Sequence, residues 1–227
     1  MDLKRLAAEG ALELLKGRAL RVLGLGTGST AELVIEGIAS LYSSGELEGT
    51  LAVPTSERTA KLAQSLGIPL TTLEEHPEVD LTIDGADEVD PKLNLIKGLG
   101  GALTREKIIA SASKEYIIVV DESKRVKRLG TRAPLPVEVL RFGWKLVERE
   151  LTKLGCEPKL RTIAGEPFIT DEGNYILDCR FPNGIRDPYT LSRALSEIPG
   201  LVEHGLFLDL ADRVIIASTS GVEVLER

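Results

Sequence analysis

Apolar positions at the start of the chain recur at helical spacing (Leu3, Leu6, Ala7, Leu14 and Leu15), so residues 2–16 read as an amphipathic helix. The period then switches repeatedly. Residues 21–25 form a short apolar run entering a Gly-rich turn, 30–41 are helical again, and 50–53 are the next strand. Ser56 is placed to cap a helix over 56–66. Residues 79–83 read as a strand ending in an acidic loop, 103–113 as a helix and 116–120 as a wholly apolar strand. Strands alternating with helices of this length predict βαβ units and a parallel sheet.

The pattern changes near residue 130. TRAPLPVEVL sets two prolines around an apolar alternation, which predicts a linker followed by an edge strand. A helix over 144–154 follows, then short strands near 159–163, 168–170 and 175–180, and a helix over 188–196. This β-α-β-β-α-β succession resembles a small split βαβ, ferredoxin-like domain. Residues 213–217 read as a buried strand returning to the first sheet. The expected fold class is α/β. A Rossmann-like parallel-sheet catalytic domain takes residues 1–128 and 206–227, and a smaller α+β domain takes 129–205.

Composition narrows the chemistry. Hydrophobic residues make up 43% and charged residues 28% of the 227, the balance of a soluble globular protein. The longest apolar runs, 117–120 and 214–217, fall far short of the roughly 18 residues of a membrane helix. The charged N-terminal stretch lacks the apolar core of a secretory signal, so a cytoplasmic protein with no membrane partner is expected. A net charge of −7 argues against a nucleic-acid partner, although a local cluster of N–H groups and lysines still suits a phosphate. Three Asn, one Gln and one Met against 28 basic and 35 acidic residues follow the thermophile tendency. Cys156 and Cys179 form neither a disulfide framework nor a zinc set and read as buried thiols. His76 and His204, the only histidines, read as partly exposed surface, so a multi-His metal site or a histidine triad is excluded. Acid–base work must rest on carboxylates and lysines.

Ligands of an open parallel sheet bind beyond the carboxyl ends of its strands, and four polar loops fall at such ends. In GLGTGST (24–30), glycines at 24, 26 and 28 let backbone N–H groups face an anion at a helix N-terminus, with Ser29 and Thr30 adding donors. A dinucleotide loop would need a third glycine where Ser29 stands and an acid after the second strand, where Pro54, Thr55 and Ser56 stand instead. A nucleoside-triphosphate loop would need a Lys before Ser29. A single phosphate group is the reading left beside a plain strand-to-helix turn. DGADEVD (84–90) crowds four acids after a strand; Ala86 rules out a calcium loop, and the alternatives are a solvated turn, a divalent-metal site, or carboxylates handling hydroxyl protons, with Asp84 foremost and Asp87 beside it. KGLGGALTRE (97–106) offers Lys97, a flexible backbone and Glu106 in a first helical turn. The helix dipole alone accounts for an acid there, yet Glu106 and Lys97 also suit a base and an enediolate counter-charge for aldose–ketose isomerisation without a metal. In DESK (121–124), Lys124 is a candidate phosphate counter-ion.

With GTGST (26–30), DGADEVD (84–90), KG-x-G-x-ALTREK (97–107) and DESK (121–124) in order and spacing, and GLVEHGLF…ADRVIIA near the end, the sequence resembles the type A ribose-5-phosphate isomerases over essentially its whole length. The resemblance implies interconversion of D-ribose 5-phosphate and D-ribulose 5-phosphate in the non-oxidative pentose phosphate pathway, with no metal or organic cofactor. It implies Glu106 as the proton acceptor and ring opening assisted by the aspartates. The implied substrate-binding residues are Thr27, Gly28, Ser29, Thr30, Asp84, Gly85, Ala86, Asp87, Lys97, Gly98, Leu99, Gly100 and Lys124. A homodimer or a dimer of dimers is also implied. One departure is Leu99, where the family commonly has glycine; a backbone with φ > 0 there would be strained. Two other readings are a sugar-phosphate deaminase or lactonase, for which a histidine near the site is expected, and a phosphosugar-sensing regulatory domain, for which a DNA-binding helix-turn-helix is expected.

Overall fold

The computed structural model describes residues 2–227. Its elements begin with α1 (Leu3–Glu13), β1 (Val22–Leu25), α2 (Ser29–Ser43), β2 (Leu51–Pro54), α3 (Glu57–Ser65) and β3 (Leu81–Asp84). Next come β4 (Glu88–Val89), β5 (Leu95–Ile96), α4 (Leu103–Ala112), β6 (Tyr116–Asp121), a 3-10 turn (Glu122–Lys124) and β7 (Leu135–Val139). Then follow α5 (Trp144–Lys153), β8 (Glu157–Leu160), β9 (Thr162–Ile163), β10 (Glu166–Pro167) and β11 (Tyr175–Arg180). The chain ends in α6 (Pro188–Ser196), β12 (Leu201–His204), β13 (Leu206–Phe207), β14 (Arg213–Ser218) and β15 (Gly221–Glu226). Contacts divide it into two compact units. The first comprises residues 2–86, Arg105–Lys124 and Asp209–Arg227; the second comprises Asp87–Thr104 and Arg125–Leu208.

The first unit is built on a six-stranded sheet in the order β15-β14-β6-β3-β1-β2. All neighbours pair in parallel except β15, which closes an antiparallel hairpin on β14. Alternate strand residues face opposite sides of a sheet. Leu23, Leu25, Leu81, Ile83, Ile117, Val119, Ile215 and Ala217 share one core with Ala7 and Ala11 of α1 and Val34, Ile35 and Ile38 of α2. Val22, Val53 and Val79 instead pack with Ile109 of α4. Cover on both faces explains why these strands are apolar runs rather than alternations. The expected strand 213–217 does return to this sheet, and β15, which is not among the expected strands, extends it.

The second unit holds a four-stranded antiparallel sheet, β12-β7-β11-β8, with α5 and α6 in a β-α-β-β-α-β succession. Val137, Val139, Leu177 and Cys179 of the sheet pack with Val147 and Leu151 of α5 and Leu195 of α6. Helix α6 starts where expected because Asp187 accepts from Tyr189 N and Thr190 N ahead of Pro188; such a cap contributes about 0.5–2 kcal/mol. A three-stranded sheet, β13-β5-β4, completes the unit. The α/β class with a parallel main sheet and an antiparallel second sheet is therefore the observed one.

Three local expectations fail. Strand β7 is interior, between β12 and β11, rather than an edge. Pro136 is tolerated because its carbonyl side, which receives Gly205 N at 2.8 Å, lies beyond the last paired residue of β12, so no ladder donor is missing. His204 is buried rather than partly exposed, with Nε2 3.1 Å from Ser192 Oγ on α6 and Nδ1 accepting from Leu206 N. Residues 168–170 form no strand; the hairpin there pairs β9 with β10, one turn earlier. Both cysteines are buried, and His76 is half-buried with Nδ1 2.8 Å from Thr71 Oγ1. Among the described residues no helix is long and apolar enough to cross a membrane.

Candidate functional site

In the first unit, β1 ends at the loop expected to hold a phosphate. Gly26 passes against Asp84 so closely that a Cβ would stand 2.3 Å from Asp84 Oδ1 and 2.5 Å from its Cα. Gly28, at φ 126°, opens α2, and no side chain among the described residues caps that helix. The first-turn N–H groups of α2 are therefore left to an incoming anion. Ser29 is exposed beside them and Thr30 is buried. Lys4 Nζ donates to Ser29 Oγ at 2.8 Å, which brings a cation to the loop that the sequence did not single out.

Thr27 is anchored from below. Its hydroxyl donates to Ser56 Oγ (2.8 Å) and lies 2.8 and 3.0 Å from Thr55 Oγ1 and Thr59 Oγ1. Thr55 and Thr59 in turn donate to the carbonyls of Leu25 and Gly26 at 3.0 Å. These hydroxyls come from the end of β2 and the start of α3, where Ser56 also caps the helix as expected. The loop backbone is thus held on a buried network rather than left as a plain turn.

Asp84, the last residue of β3, is fully buried. Its Oδ1 accepts from Thr27 N at 3.1 Å and Gly85 N at 2.8 Å, and its Oδ2 accepts from the Tyr116 hydroxyl at 3.0 Å. Burial pushes the Tyr116 phenol well above its ordinary range, and the charges of Asp84 and Glu106 push it further, so Tyr116 stays a donor. Glu106, buried in the first turn of α4, therefore lies within electrostatic reach of the same phenol. In the first unit Thr27 and Tyr116 both bond Asp84, and the charge of Glu106 reaches the same phenol; sequence reading passed over Tyr116 as one more strand residue. Lys124 ends the 3-10 turn after β6, half-buried, next to Asp121, whose Oδ1 accepts from Ser123 N.

In the second unit, the acidic stretch sorts itself by partners. Glu88 accepts from the backbone N–H groups of Gly130, Arg132 and Ala133 at 2.6–2.7 Å, and Asp90 from those of Lys92 and Asn94, so both brace turns. Asp87 Oδ2 accepts from Leu99 N at 2.9 Å, which joins two of the expected substrate-binding residues. In the 97–101 loop the positive φ falls on Gly98 (106°) and Gly101 (84°), not on Leu99, so the strain raised by a leucine at 99 does not arise. The Leu99 side chain is exposed, as is Gly100. Lys97 is buried, with its N–H on Gly205 O (2.9 Å) and its ammonium 5.5 Å from the centre of the Phe207 ring. Among the described residues no group of three or more His, Cys, Asp or Glu side chains is placed to hold a metal ion.

Comparison with known proteins shows the family to which this chain belongs. The family model for ribose 5-phosphate isomerase A (phosphoriboisomerase A) matches residues 51–221. A ribose-5-phosphate isomerase A from Roseiflexus castenholzii is 53% identical over 98% of this chain and 94% of its own. The solved structure of a ribose 5-phosphate isomerase from Plasmodium falciparum superposes with a TM-score of 0.94 at 42% identity, covering 99% of this chain and 98% of that one. A D-ribose-5-phosphate isomerase in complex with phospho-erythronic acid also superposes at 0.94, with 41% identity over 100% of this chain and 98% of the other. A family model spanning most of the sequence, and relatives alike from end to end, leave one assignment: the chain belongs to the ribose 5-phosphate isomerase A family.

Proposed function

We propose that this chain interconverts D-ribose 5-phosphate and D-ribulose 5-phosphate through an enediolate, with Glu106 as the base. Glu106 takes the proton from C2 of the open-chain aldose and returns it to C1, while a hydroxyl proton passes between the neighbouring oxygens. The observation that carries the reading is a buried carboxylate in a first helical turn, within electrostatic reach of the Asp84–Tyr116 pair and in the same unit as the Thr27–Thr30 loop. A helix N-terminus favours a carboxylate anion, and a base of this kind contributes about 10²–10⁴ in rate. Asp84 suits the transfer of hydroxyl protons during ring opening, because a backbone N–H pair and a phenol hold both of its oxygens in place. Thr27 to Thr30, with Lys124, take the phosphate. Lys97 supplies positive charge to the enediolate oxygen, and Asp87 shares the handling of hydroxyl protons. The homodimer implied by family resemblance is read directly by light scattering of the purified chain.

Glu106→Gln preserves size and polarity and removes the basic oxygen. Turnover of ribose 5-phosphate should fall by about 10²–10⁴, while calorimetric binding of the sugar phosphate survives. A variant that turns over at the wild-type rate would remove Glu106 from the reaction.

A further inference from the structure

We propose that Arg161 is a positioning residue for the isomerisation: it fixes the Leu99–Gly100 peptide plane of the 97–101 loop so that the Gly100 N–H, rather than the Leu99 carbonyl, faces the reacting sugar. Its Nη1 donates to both Gly98 O and Leu99 O at 3.0 Å. The other edge of the guanidinium is taken by Asp178, with Nε on Oδ2 at 2.9 Å and Nη2 on Oδ1 at 2.5 Å. The side chain is only 11% exposed, and the guanidinium stands 5.7 Å from the centre of the Phe168 ring. That ring in turn packs against Gly101, where a Cβ would come within 2.4 Å of Cζ. One cation thus joins β11 and the residues flanking the β9–β10 hairpin to the loop.

The consequence follows from peptide geometry. In a trans peptide the N–H points opposite to the C=O. With the carbonyls of Gly98 and Leu99 turned onto Arg161, the N–H of Leu99 points the other way, where it meets Asp87 Oδ2, and so does the N–H of Gly100. The Gly98–Leu99 peptide is also held by Gly101 N on Gly98 O at 3.0 Å and by Leu99 N on Asp87, so the plane left to Arg161 is that of Leu99–Gly100, where a glycine on one side does little to prevent a flip. A flipped peptide aims a carbonyl at the developing enediolate, where a donor is needed. Arg161 decides between the two orientations of the Leu99–Gly100 peptide, and Asp178 balances its charge so that the loop gains direction rather than net potential. This inference rests on the proposed isomerase reading, in which the loop binds substrate.

The test uses the full chain with Arg161→Ala and Arg161→Lys. Steady-state turnover of ribose 5-phosphate, calorimetric binding of inorganic phosphate and of phospho-erythronic acid, and amide hydrogen exchange across 97–101 are measured on each. Arg161→Ala should lower kcat by at least about tenfold, short of the 10²–10³ that outright loss of an oxyanion donor costs. It should weaken phospho-erythronic acid, leave inorganic phosphate binding unchanged and speed exchange at Leu99 and Gly100. Arg161→Lys keeps the charge and the fold but lacks the fork that serves two carbonyls and a carboxylate together, so it should not restore kcat. Wild-type kcat in folded Arg161→Ala, or in Arg161→Lys where the alanine variant fails to fold, overturns the inference. A fall in melting temperature with kcat intact overturns it as well, since a purely structural brace behaves that way. An inactive wild-type chain refutes the isomerase reading itself, whereas an active wild type with an unimpaired Arg161 variant refutes only the role of Arg161.

Discussion

Replacing Tyr116 by Phe removes one hydroxyl from a fully buried site and little else. The ring keeps its place at the start of β6, where Tyr116 pairs with Thr82 of β3. What is lost is the 3.0 Å donation to Asp84 Oδ2. Hydrogen bonds to charged groups contribute about 1.5–3 kcal/mol, and a carboxylate with 0% exposure has no water to take the place of the phenol. For a chain of this size each kcal/mol moves the midpoint by roughly 2–4 °C, so Tyr116→Phe should melt about 3–12 °C lower. The same loss acts on catalysis if Asp84 must be held still during ring opening, and about 1.4 kcal/mol corresponds to tenfold in rate. Calorimetric melting and turnover starting from ribose 5-phosphate read the two effects separately. A variant with unchanged midpoint and unchanged kcat would show that the Tyr116–Asp84 bond carries no energy, and the account of Asp84 as a fixed carboxylate would fall with it.

Lys4→Ala removes the cation beside Ser29 and should raise KM for the phosphorylated sugar about fivefold with kcat intact, the order of 1 kcal/mol for an exposed charge; an unchanged KM detaches Lys4 from the phosphate loop. Gly26→Ala drives a Cβ into the backbone of Asp84, and the splaying needed should cost about 1–3 kcal/mol of stability and displace the carboxylate, read as lowered melting temperature together with lowered kcat. Alkaline stability follows from the tyrosines. An unfolded tyrosine ionises near about pH 10, whereas burial, then the charges of Asp84 and Glu106, hold Tyr116 protonated well above that, and burial pushes Tyr42 up to about 12. Because the folded values are raised, this stability is whole below the unfolded value and is lost as pH rises beyond it. Denaturation midpoints across that window should fall more steeply in the wild type than in Tyr116→Phe; parallel curves would contradict the assignment.

What sequence could reveal tracks the range of the interactions involved. Strand β11 and helix α6 lie at the expected residues because their signals are local: a short apolar run for one, and Asp187 with Pro188 for the other. Three of the four loops stand at ends of parallel-sheet strands (β1, β3 and β6) as expected, whereas the 97–106 loop follows β5 of the small antiparallel sheet, which the sequence does not distinguish from a strand of the main sheet. Strand β7 was misplaced at an edge because the geometry that tolerates Pro136 depends on where β12 stops, far along the chain. Tyr116 reads as core because its partner, Asp84, is 32 residues away, and Arg161 carries no signal of its own because the carbonyls it holds are 62 and 63 residues away. His204 follows an apolar pair and reads as partly exposed, yet β12 sits under α6 and buries it. A residue type at a position can suggest chemistry, but the partner that restrains it is written elsewhere.

The bond from Thr27 N to Asp84 Oδ1 has a thermodynamic consequence. A backbone donor of the phosphate loop and the carboxylate of the next strand are one mechanical piece, so occupancy of the loop and orientation of the acid are linked functions, and linkage runs both ways. The phosphate end of the sugar, remote from the carbons that exchange a proton, becomes an activator of its own turnover as well as a handle. A sugar lacking the phosphate then forfeits kcat along with affinity. By reciprocity, with the Thr27–Thr30 loop holding the phosphate as proposed, any change that loosens Asp84 weakens the hold on free phosphate.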